Sequence, residues 1–289
     1  MLLLNKKILM QFILLNVLTL IFLAANSILC RLALLDNTID AYSFTFFRLF
    51  FAVITLILIM LFIKKQNITI KLKDNWLNAF MLFIYAATFS YAYLNMDAGV
   101  GTLILFAIVQ LTMILSAIKN SEKLTLKVFL GLIIAFLGLI YLLYPKEEFS
   151  LSITHTILMI ISGISWAFYS ILGKATTKPL EDTTINFIKT LPFLAILYLF
   201  TNDIFITKEG LFLAFLSGSI TSAIGYVLWY IIIKKIRIVT ASIIQLIIPI
   251  FAILLSVIFL NEELTFTLIL STSIILLGIF ISLYKKTPN

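Results

Sequence analysis

Hydrophobic runs of about 20 residues, separated by short polar clusters, recur along the whole chain. A helix needs about 20 residues to cross a hydrocarbon core of about 30 Å, so each run is long enough to span a membrane. The runs predict ten transmembrane helices, at residues 8–30, 40–63, 75–96, 98–118, 124–144, 153–173, 182–201, 209–233, 238–260 and 264–284. The short connections leave no room for a soluble domain, which predicts an all-α membrane protein.

The composition supports this prediction and excludes several function classes. Hydrophobic residues make up 62% of the chain and charged residues 12%, against about half and a quarter in globular domains. The net charge of +8 comes from basic residues at the ends of the runs rather than along one polar face, so nucleic acid is not a predicted partner. With Cys30 and His155 as the only cysteine and histidine, the sequence offers no cysteine-based metal site, and we predict no metal or cofactor.

The basic residues also predict the orientation. Lys6 and Lys7 precede an apolar stretch that resembles a signal peptide, but the stretch is too long and lacks a small-residue cleavage site, so we interpret it as the first retained helix. With the N-terminus in the cytoplasm, 16 of the 21 basic residues fall in cytoplasmic segments and only Arg31, Lys146 and Lys208 in outer ones. This bias predicts that both termini are cytoplasmic, and the composition fits a bacterial inner membrane.

The two halves of the chain resemble each other. Residues 121–125 (SEKLT) open the fifth predicted helix and residues 261–265 (NEELT) open the tenth, and each is followed at equal spacing by Leu-Gly and then Tyr. Residues 27–31 and 170–174 match in the same way, at the ends of the first and sixth helices. Because each copy has an odd number of helices, the copies must be inverted, which predicts repeats at 1–145 and 146–289. Inverted repeats are a recurring plan of transporters.

Two stretches resemble the EamA branch of the drug/metabolite transporter superfamily: residues 46–52 (FFRLFFA), and residues 240–265 with Thr240-Ala241-Ser242, Pro249 and the glutamates of NEELT. In the first half the position of Pro249 is occupied by Val109, which departs from the family's pattern. The resemblance implies a ten-helix fold that exports or imports small metabolites without ATP or a cofactor. The family's substrates are diverse, including amino acids and amphipathic organic compounds, and do not follow from the fold.

Two cations, Arg48 and Lys189, fall inside predicted helices at nearly the same place in each repeat. An arginine within the membrane costs at least about 2.5–3.5 kcal/mol unless it meets water or a partner. Each cation is a candidate for attracting a substrate carboxylate or phosphate. Alternatively Arg48 extends to the surface or caps helix-end carbonyls and Asp40, and Lys189 extends to the surface. No Asp or Glu lies deep in a predicted helix, so we hypothesise facilitative transport or exchange rather than proton coupling.

Further polar and aromatic residues fall inside the predicted helices, where they either line a substrate cavity or only join helices through hydrogen bonds. The substrate-binding candidates besides the two cations are Asn26, Tyr91, Asn95, Gln110, Trp166, Tyr169, Tyr226 and Gln245. Pro249 removes one helix hydrogen bond and is either a hinge for gating or a static bend. Small residues four apart, such as Gly218 and Ser222, predict helix contact faces, and Glu262 is expected to be solvated.

These observations predict a secondary transporter that exports small organic metabolites, such as amino acids or other zwitterionic or anionic solutes, by alternating access between the two repeats. Its partners are a small-molecule substrate and the lipid bilayer, and it is a monomer or a homodimer. The alternatives are a channel-like or non-transporting membrane protein and a membrane-embedded enzyme. An enzyme would need a nucleophile with its base, or metal ligands, inside the spans, and the predicted helices carry neither a histidine nor a deep carboxylate.

Overall fold

The computed structural model describes residues 2–65, 76–120, 126–143, 152–201 and 204–283, and this part of the chain is helical without any named strand. The first half contains α1 (Leu2–Leu35), α2 (Ala41–Leu58), α3 (Trp76–Ala92), α4 (Ala98–Lys119) and α5 (Leu126–Leu143). The second half contains α6 (Ile153–Gly173), α7 (Pro179–Ile188), α8 (Leu191–Tyr198), α9 (Lys208–Leu216), α10 (Gly225–Ile233), α11 (Ile238–Ile244), α12 (Ile248–Leu260) and α13 (Phe266–Leu283).

Seven helical segments of the described residues are long and apolar enough to cross a membrane. They are Met10–Leu35, Ala41–Ile63, Trp76–Asn95, Ala98–Lys119, Ile153–Gly173, Lys208–Ile233 and Ile238–Leu260. Two shorter apolar helices, Leu126–Leu142 and Phe266–Gly278, coincide with the fifth and tenth predicted spans. The structure therefore confirms an all-helical chain with several membrane-spanning segments.

The seventh predicted helix, at 182–201, differs from the structure, which breaks it into α7 and α8. Proline has no N–H, so Pro192 cannot donate to the Ile188 carbonyl, and α7 ends there. The Thr190 N–H instead bonds the Phe187 carbonyl at 3.1 Å. This break places Lys189 at the end of α7 rather than inside a continuous helix.

Two other spans change helix type along their length without being interrupted. A π-helical segment, Ser217–Ile224, joins α9 to α10, and a 3₁₀ turn, Gln245–Ile247, joins α11 to α12. Pro249 explains the 3₁₀ turn, because it cannot donate to the Gln245 carbonyl, which accepts from the Ile248 N–H instead. The hinge or static bend at Pro249 stays a prediction.

Helices α5 and α13 pack closely through two glycines at matching places. A methyl group added at Gly138 would lie 2.8 Å from Ile275 Cγ1, and one added at Gly278 would lie 2.6 Å from the Ala135 nitrogen. Ala135 and Ile275 are as far apart in sequence as Gly138 and Gly278, so each helix contributes the same two positions. The interface is thus self-complementary, as at a two-fold axis.

The other helix contacts follow the same exchange. Helix α1 packs against α9, α10 and α12, while α6 packs against α3 and α4. Helix α2 packs against α9, while α7 and α8 pack against α3. The helices of the two halves correspond in order: α1 to α6, α2 to α7–α8, α3 to α9–α10, α4 to α11–α12 and α5 to α13. When each helix is replaced by its counterpart, one set of contacts becomes the other.

One end of the bundle, called here the Asp97 end, is held by polar contacts of two side chains, Arg31 and Glu262. Arg31 Nη1 donates to the carbonyls of Tyr93 (2.9 Å) and Leu94 (3.1 Å), and its Nη2 lies 3.6 Å from Asp97 Oδ1. Glu262, expected to be solvated, instead accepts from the N–H groups at the start of α4, at 2.6 Å (Ala98) and 3.1 Å (Gly99). A helix start carries four unpaired N–H groups, which explains why a carboxylate is stabilised there.

The opposite end, called the Lys234 end, is held by lysines that reach carbonyl groups. Lys174 donates to the Ile236 carbonyl, and Lys234 donates to the Thr177 carbonyl at 3.4 Å. Lys178 lies 2.7 Å from Glu181, and the hydrogen bond between them raises the pKa of the lysine. The two ends therefore differ in which halves their contacts join. At the Asp97 end Glu262 of the second half bonds the start of α4 in the first half, whereas these lysine contacts at the Lys234 end lie within the second half.

Candidate functional site

Arg48 lies on α2 and is only 1% exposed. Its Nε donates to Ser222 Oγ at 2.9 Å, and its Nη2 donates to the hydroxyls of Tyr226 (2.6 Å) and Tyr85 (3.4 Å). We call these four residues the Arg48 cluster. The third guanidinium nitrogen, Nη1, is buried and has no hydrogen-bond partner among the described residues.

Local sequence brings the helices of the cluster together. Asp40 begins α2 by accepting from the Ser43 N–H at 2.8 Å, which sets the helix start two turns before Arg48. The π-helical segment approaches α2 so closely that a methyl group at Gly218 would lie 2.3 Å from the Arg48 carbonyl oxygen. Only glycine fits at this position, and Ser222 lies one turn further on, facing the Arg48 side chain.

The Arg48 cluster carries a positive charge that no negative charge of the described residues balances. Asp40 is occupied elsewhere, since its second carboxylate oxygen accepts from the Phe205 N–H at 2.9 Å. The ion pairs among the described residues join Arg31 to Asp97 and Lys178 to Glu181, so no described carboxylate neutralises Arg48. Neutral hydroxyls and the faces of Tyr85 (5.5 Å) and Phe89 (5.1 Å) surround the guanidinium instead. The site therefore holds a buried positive charge.

Asn26 of α1 extends the cluster. Its Oδ1 accepts from the hydroxyls of Ser217 (2.9 Å), Thr221 (2.6 Å) and Ser222 (3.2 Å), so one amide oxygen organises a full turn of the π-helical segment. Its Nδ2 is buried without a described partner. Asn26 and Arg48 are thus linked through Ser222.

An aromatic layer from both halves of the chain covers the cluster. The Trp166 ring lies 4.9 Å from that of Tyr85 and 4.8 Å from that of Tyr226, and Phe187 lies 5.6 Å from Tyr226. Trp166 Nε1 donates to Gln245 Oε1 at 2.6 Å, which ties the layer to the 3₁₀ turn before α12. These rings offer apolar faces beside the buried charge.

A polar pocket lies at the Lys234 end. It measures about 110 Å³ and is lined by Asn78, Thr176, Asp182 and Tyr230, among others. The Tyr230 ring stacks on Tyr169 at 4.9 Å, and Tyr169 lies 5.6 Å from Trp166. A chain of aromatic rings therefore connects this pocket with the Arg48 cluster.

The structure gathers six of the predicted site residues into this one region: Asn26, Arg48, Trp166, Tyr169, Tyr226 and Gln245. Lys189 is 3% exposed, with Nζ 5.1 Å from the Trp76 ring, outside the Arg48 cluster. Asn95 is exposed at the Asp97 end, 3.3 Å from His155.

The remaining two candidates also lie elsewhere. Tyr91 is half-buried near the end of α3. Gln110 is 1% exposed but lines a cavity of about 10 Å³ together with residues of α5, and such a volume suits about one water molecule.

Sequence reasoning missed Tyr85, Phe89 and Phe187 in the site, because a single aromatic in an apolar helix carries no signal of its own. Ser222 was assigned only to a contact face with Gly218. The spacing of Gly218 and Ser222 predicted the correct helix face. The hydroxyl of Ser222 on that face was the signal that could have indicated its hydrogen bond with Arg48.

Comparison with known proteins agrees with this architecture. Residues 10–144 and 154–284 each match the EamA-like transporter family. The chain is 37% identical to an uncharacterized protein of Pseudomonas aeruginosa over 95% of both chains. It is 28% identical to an uncharacterized transporter of Archaeoglobus fulgidus (80% of this chain, 85% of the relative) and 21% identical to one of Bacillus subtilis (83% and 86%). A solved crystal structure shares the fold at 17% identity, with a TM-score of 0.67 over 92% of this chain and 97% of the other.

Proposed function

Because the chain belongs to the EamA-like transporter family, we propose that this membrane transporter is a secondary carrier for small organic metabolites that bear a carboxylate. Amino acids and other zwitterionic or anionic solutes are the proposed substrates. Export from the cytoplasm across a bacterial inner membrane is the proposed direction.

The proposed architecture is ten transmembrane helices in two inverted repeats, 1–145 and 146–289, with both termini in the cytoplasm. The separate family matches to the two halves support this division. So do the exchanged helix contacts and the reciprocal glycine packing of α5 and α13. In this arrangement α7 and α8 together form the seventh span, and the break at Lys189 lies within it.

The observation that carries the proposed substrate class is the buried, unneutralised charge of Arg48 with its unused Nη1. The unused Nη1 can donate charge-assisted hydrogen bonds to a carboxylate, and such bonds are stronger than hydrogen bonds between neutral groups. A carboxylate bound there would neutralise the charge, and the side chain of the solute would pack on the rings of Tyr85 and Trp166. Neutral solutes gain nothing from the charge, so the site selects for anions and zwitterions.

The proposed mechanism is alternating access between the repeats. Contacts of Arg31 and Glu262 close the Asp97 end, while the pocket at Asn78 and Tyr230 opens at the Lys234 end. In the proposed orientation this conformation faces the cytoplasm. Gln245 lies in the 3₁₀ turn before Pro249 and accepts a hydrogen bond from Trp166. A change in the geometry of this turn would therefore move Trp166 and with it the aromatic layer.

The test is counterflow in liposomes that contain the full chain, with labelled amino acids and small organic anions as probes. We expect saturable counterflow of an anionic or zwitterionic solute that Arg48→Gln abolishes. Lys208→Gln removes the same charge at the start of α9 and is the matched control, with counterflow unchanged. Counterflow that survives in Arg48→Gln would contradict the role of Arg48, and flux without saturation or counterflow would identify a channel.

Proton coupling is tested in the same liposomes. For a solute that does not itself titrate near neutral pH, facilitative transport or exchange predicts that an imposed pH gradient changes uptake less than about twofold. A strong response to the gradient would require a titrating proton carrier and would contradict this part of the proposal.

A further inference from the structure

An apolar groove with lysines at its mouth lies at the Lys234 end, between the ends of α2 and α10 and the start of α7. The groove measures about 430 Å³, four times the volume of the polar pocket at Asn78 and Tyr230. Its lining residues are largely distinct from that pocket and from the Arg48 cluster. The groove therefore needs an explanation of its own.

One wall of the groove is a stripe along α10. Ile224, Val227, Leu228 and Ile231 line it, and their spacing of three and four places them on one helix face. At about 1.5 Å per residue the stripe is roughly 10 Å long. Lys234 and Lys235 follow the end of α10 directly and line the groove next to this stripe.

The mouth of the groove is positively charged. Lys64 follows the segment Ala41–Ile63 and lines the groove together with Lys234 and Lys235, and all three lysines are exposed. No acidic residue lines the groove among the described residues. The nearby carboxylate of Glu181 is already paired with Lys178 at 2.7 Å. An apolar channel that ends in three cations matches an amphiphile with an anionic head.

We propose that this groove binds one anionic phospholipid, with an acyl chain along the α10 stripe and the phosphate at the three lysines. The walls belong to the membrane-spanning segments Ala41–Ile63 and Lys208–Ile233, whose ends lie where headgroups lie. Basic pockets between transmembrane helices on the cytoplasmic side bind anionic headgroups, with about 1 kcal/mol for each lysine near the surface. The proposal does not depend on the transported solute.

The test measures binding of phosphatidylglycerol and of phosphatidylcholine with identical chains to the purified full-length protein in detergent, by native mass spectrometry. We expect a preferred single phosphatidylglycerol, and an affinity lowered about tenfold or more in the variant Lys64→Gln/Lys234→Gln/Lys235→Gln. The control Lys119→Gln/Lys127→Gln/Lys208→Gln removes the same charge outside the groove and should bind within about twofold of the original protein.

A second variant tests the apolar stripe. Val227→Trp fills the groove and keeps all three lysines, so it should also lose phosphatidylglycerol while its thermal unfolding stays cooperative. Glycerol phosphate, which has the headgroup charge without the chains, should not displace the lipid. Equal affinity for the two lipids, an equal loss in the control triple variant, or displacement by glycerol phosphate would each overturn the proposal.

Discussion

Arg48 and Lys189 occupy nearly equivalent positions in the two halves, and their surroundings differ in kind. Arg48 lies in an unbroken part of α2 and is held by three hydroxyl groups. Lys189 lies at a helix break, with its ammonium 5.1 Å from the face of Trp76. Both cations are buried, at 1% and 3% exposure, so burial does not separate them.

The difference teaches that two halves with the same order of helices can give a buried cation different partners. A guanidinium presents several donors in one plane, and the cluster uses only some of them. A lysine carries a compact charge on a flexible stem, and the ammonium of Lys189 lies over the ring face of Trp76. The first half therefore supplies the buried guanidinium, and the second half supplies Trp166, Tyr226 and Phe187 of the aromatic layer.

The largest predicted difference between the two cations is in counterflow, when each cation is replaced by the other type. Arg48→Lys keeps the charge but cannot reach Ser222 and Tyr226 and still offer two donors to a carboxylate. We expect counterflow efficiency to fall about 30-fold or more, equivalent to about 2 kcal/mol. Lys189→Arg keeps a cation over the Trp76 face and should stay within about threefold. Equal losses in the two variants would show that the cations have equivalent roles.

Removing one hydroxyl of the cluster should have the next largest effect. Ser222→Ala leaves the Arg48 Nε buried without its acceptor, and a hydrogen bond to a charged group is worth about 1.5–3 kcal/mol. We expect the free energy of unfolding in detergent to fall by about this amount. Ser219→Ala is the matched control from the same segment, since the Ser219 hydroxyl has no described partner, and it should change stability by less than about 0.5 kcal/mol. A control variant as unstable as Ser222→Ala would contradict the assignment.

Weakening the Asp97 end should affect the Arg48 side of the molecule alone. Glu262→Ala removes the cap of α4, worth about 1 kcal/mol, and should raise the labelling rate of buried Cys30 by a maleimide about fivefold. Cys30 is buried on α1, one turn after Asn26 and therefore on the same helix face. Glu263→Ala is the adjacent control and should leave the rate unchanged.

The same experiment can report on the Lys189 side. A cysteine introduced by Thr190→Cys in a Cys30→Ala background replaces a buried residue next to Lys189. Its labelling rate should not respond to Glu262→Ala. An equal rise at both cysteines would mean that the whole bundle loosens rather than one end opening.

The ring contact of Lys189 should give the smallest effect. A double-mutant cycle with Trp76→Leu and Lys189→Met should yield a coupling of about 0.5–1 kcal/mol in thermal stability. Phe80→Leu is the matched control, because Phe80 also packs on Phe193 and is 39% exposed against 38% for Trp76. Coupling between Lys189 and Phe80 of the same size would contradict a cation–π contact.

The sequence predicted most of the helices because membrane spans are long and strongly apolar. It predicted Trp166, Gln245 and Asn26 as candidates because amides and tryptophans in apolar segments need partners. It did not predict which of them meet. Gln110 and Gln245 read alike as intramembrane amides, yet one faces α5 and the other bonds Trp166.

Local sequence also concealed two features of backbone geometry. Pro192 can be read from the sequence, but the sequence does not show whether it bends the helix or splits it. The split into α7 and α8 depends on how the neighbouring backbone groups pair, as in the bond from the Thr190 N–H to the Phe187 carbonyl. Glu262 was placed at a helix end, and its role at α4 depended on Asn261, whose φ of 52° turns the chain back toward the other half. Asparagine tolerates this left-handed conformation better than most residues, although its presence alone does not require it.

By itself the sequence determined that this protein is a chain of membrane-spanning helices in two similar halves, with one cation inside each. Those properties depend on composition, run length and repetition, which are local to the chain. Only the tertiary structure decided that Arg48 keeps an unneutralised charge beneath aromatic rings from both halves, and that Lys189 lies outside that cluster. The partners of a buried side chain come from helices far away in sequence, so their identity is a property of packing.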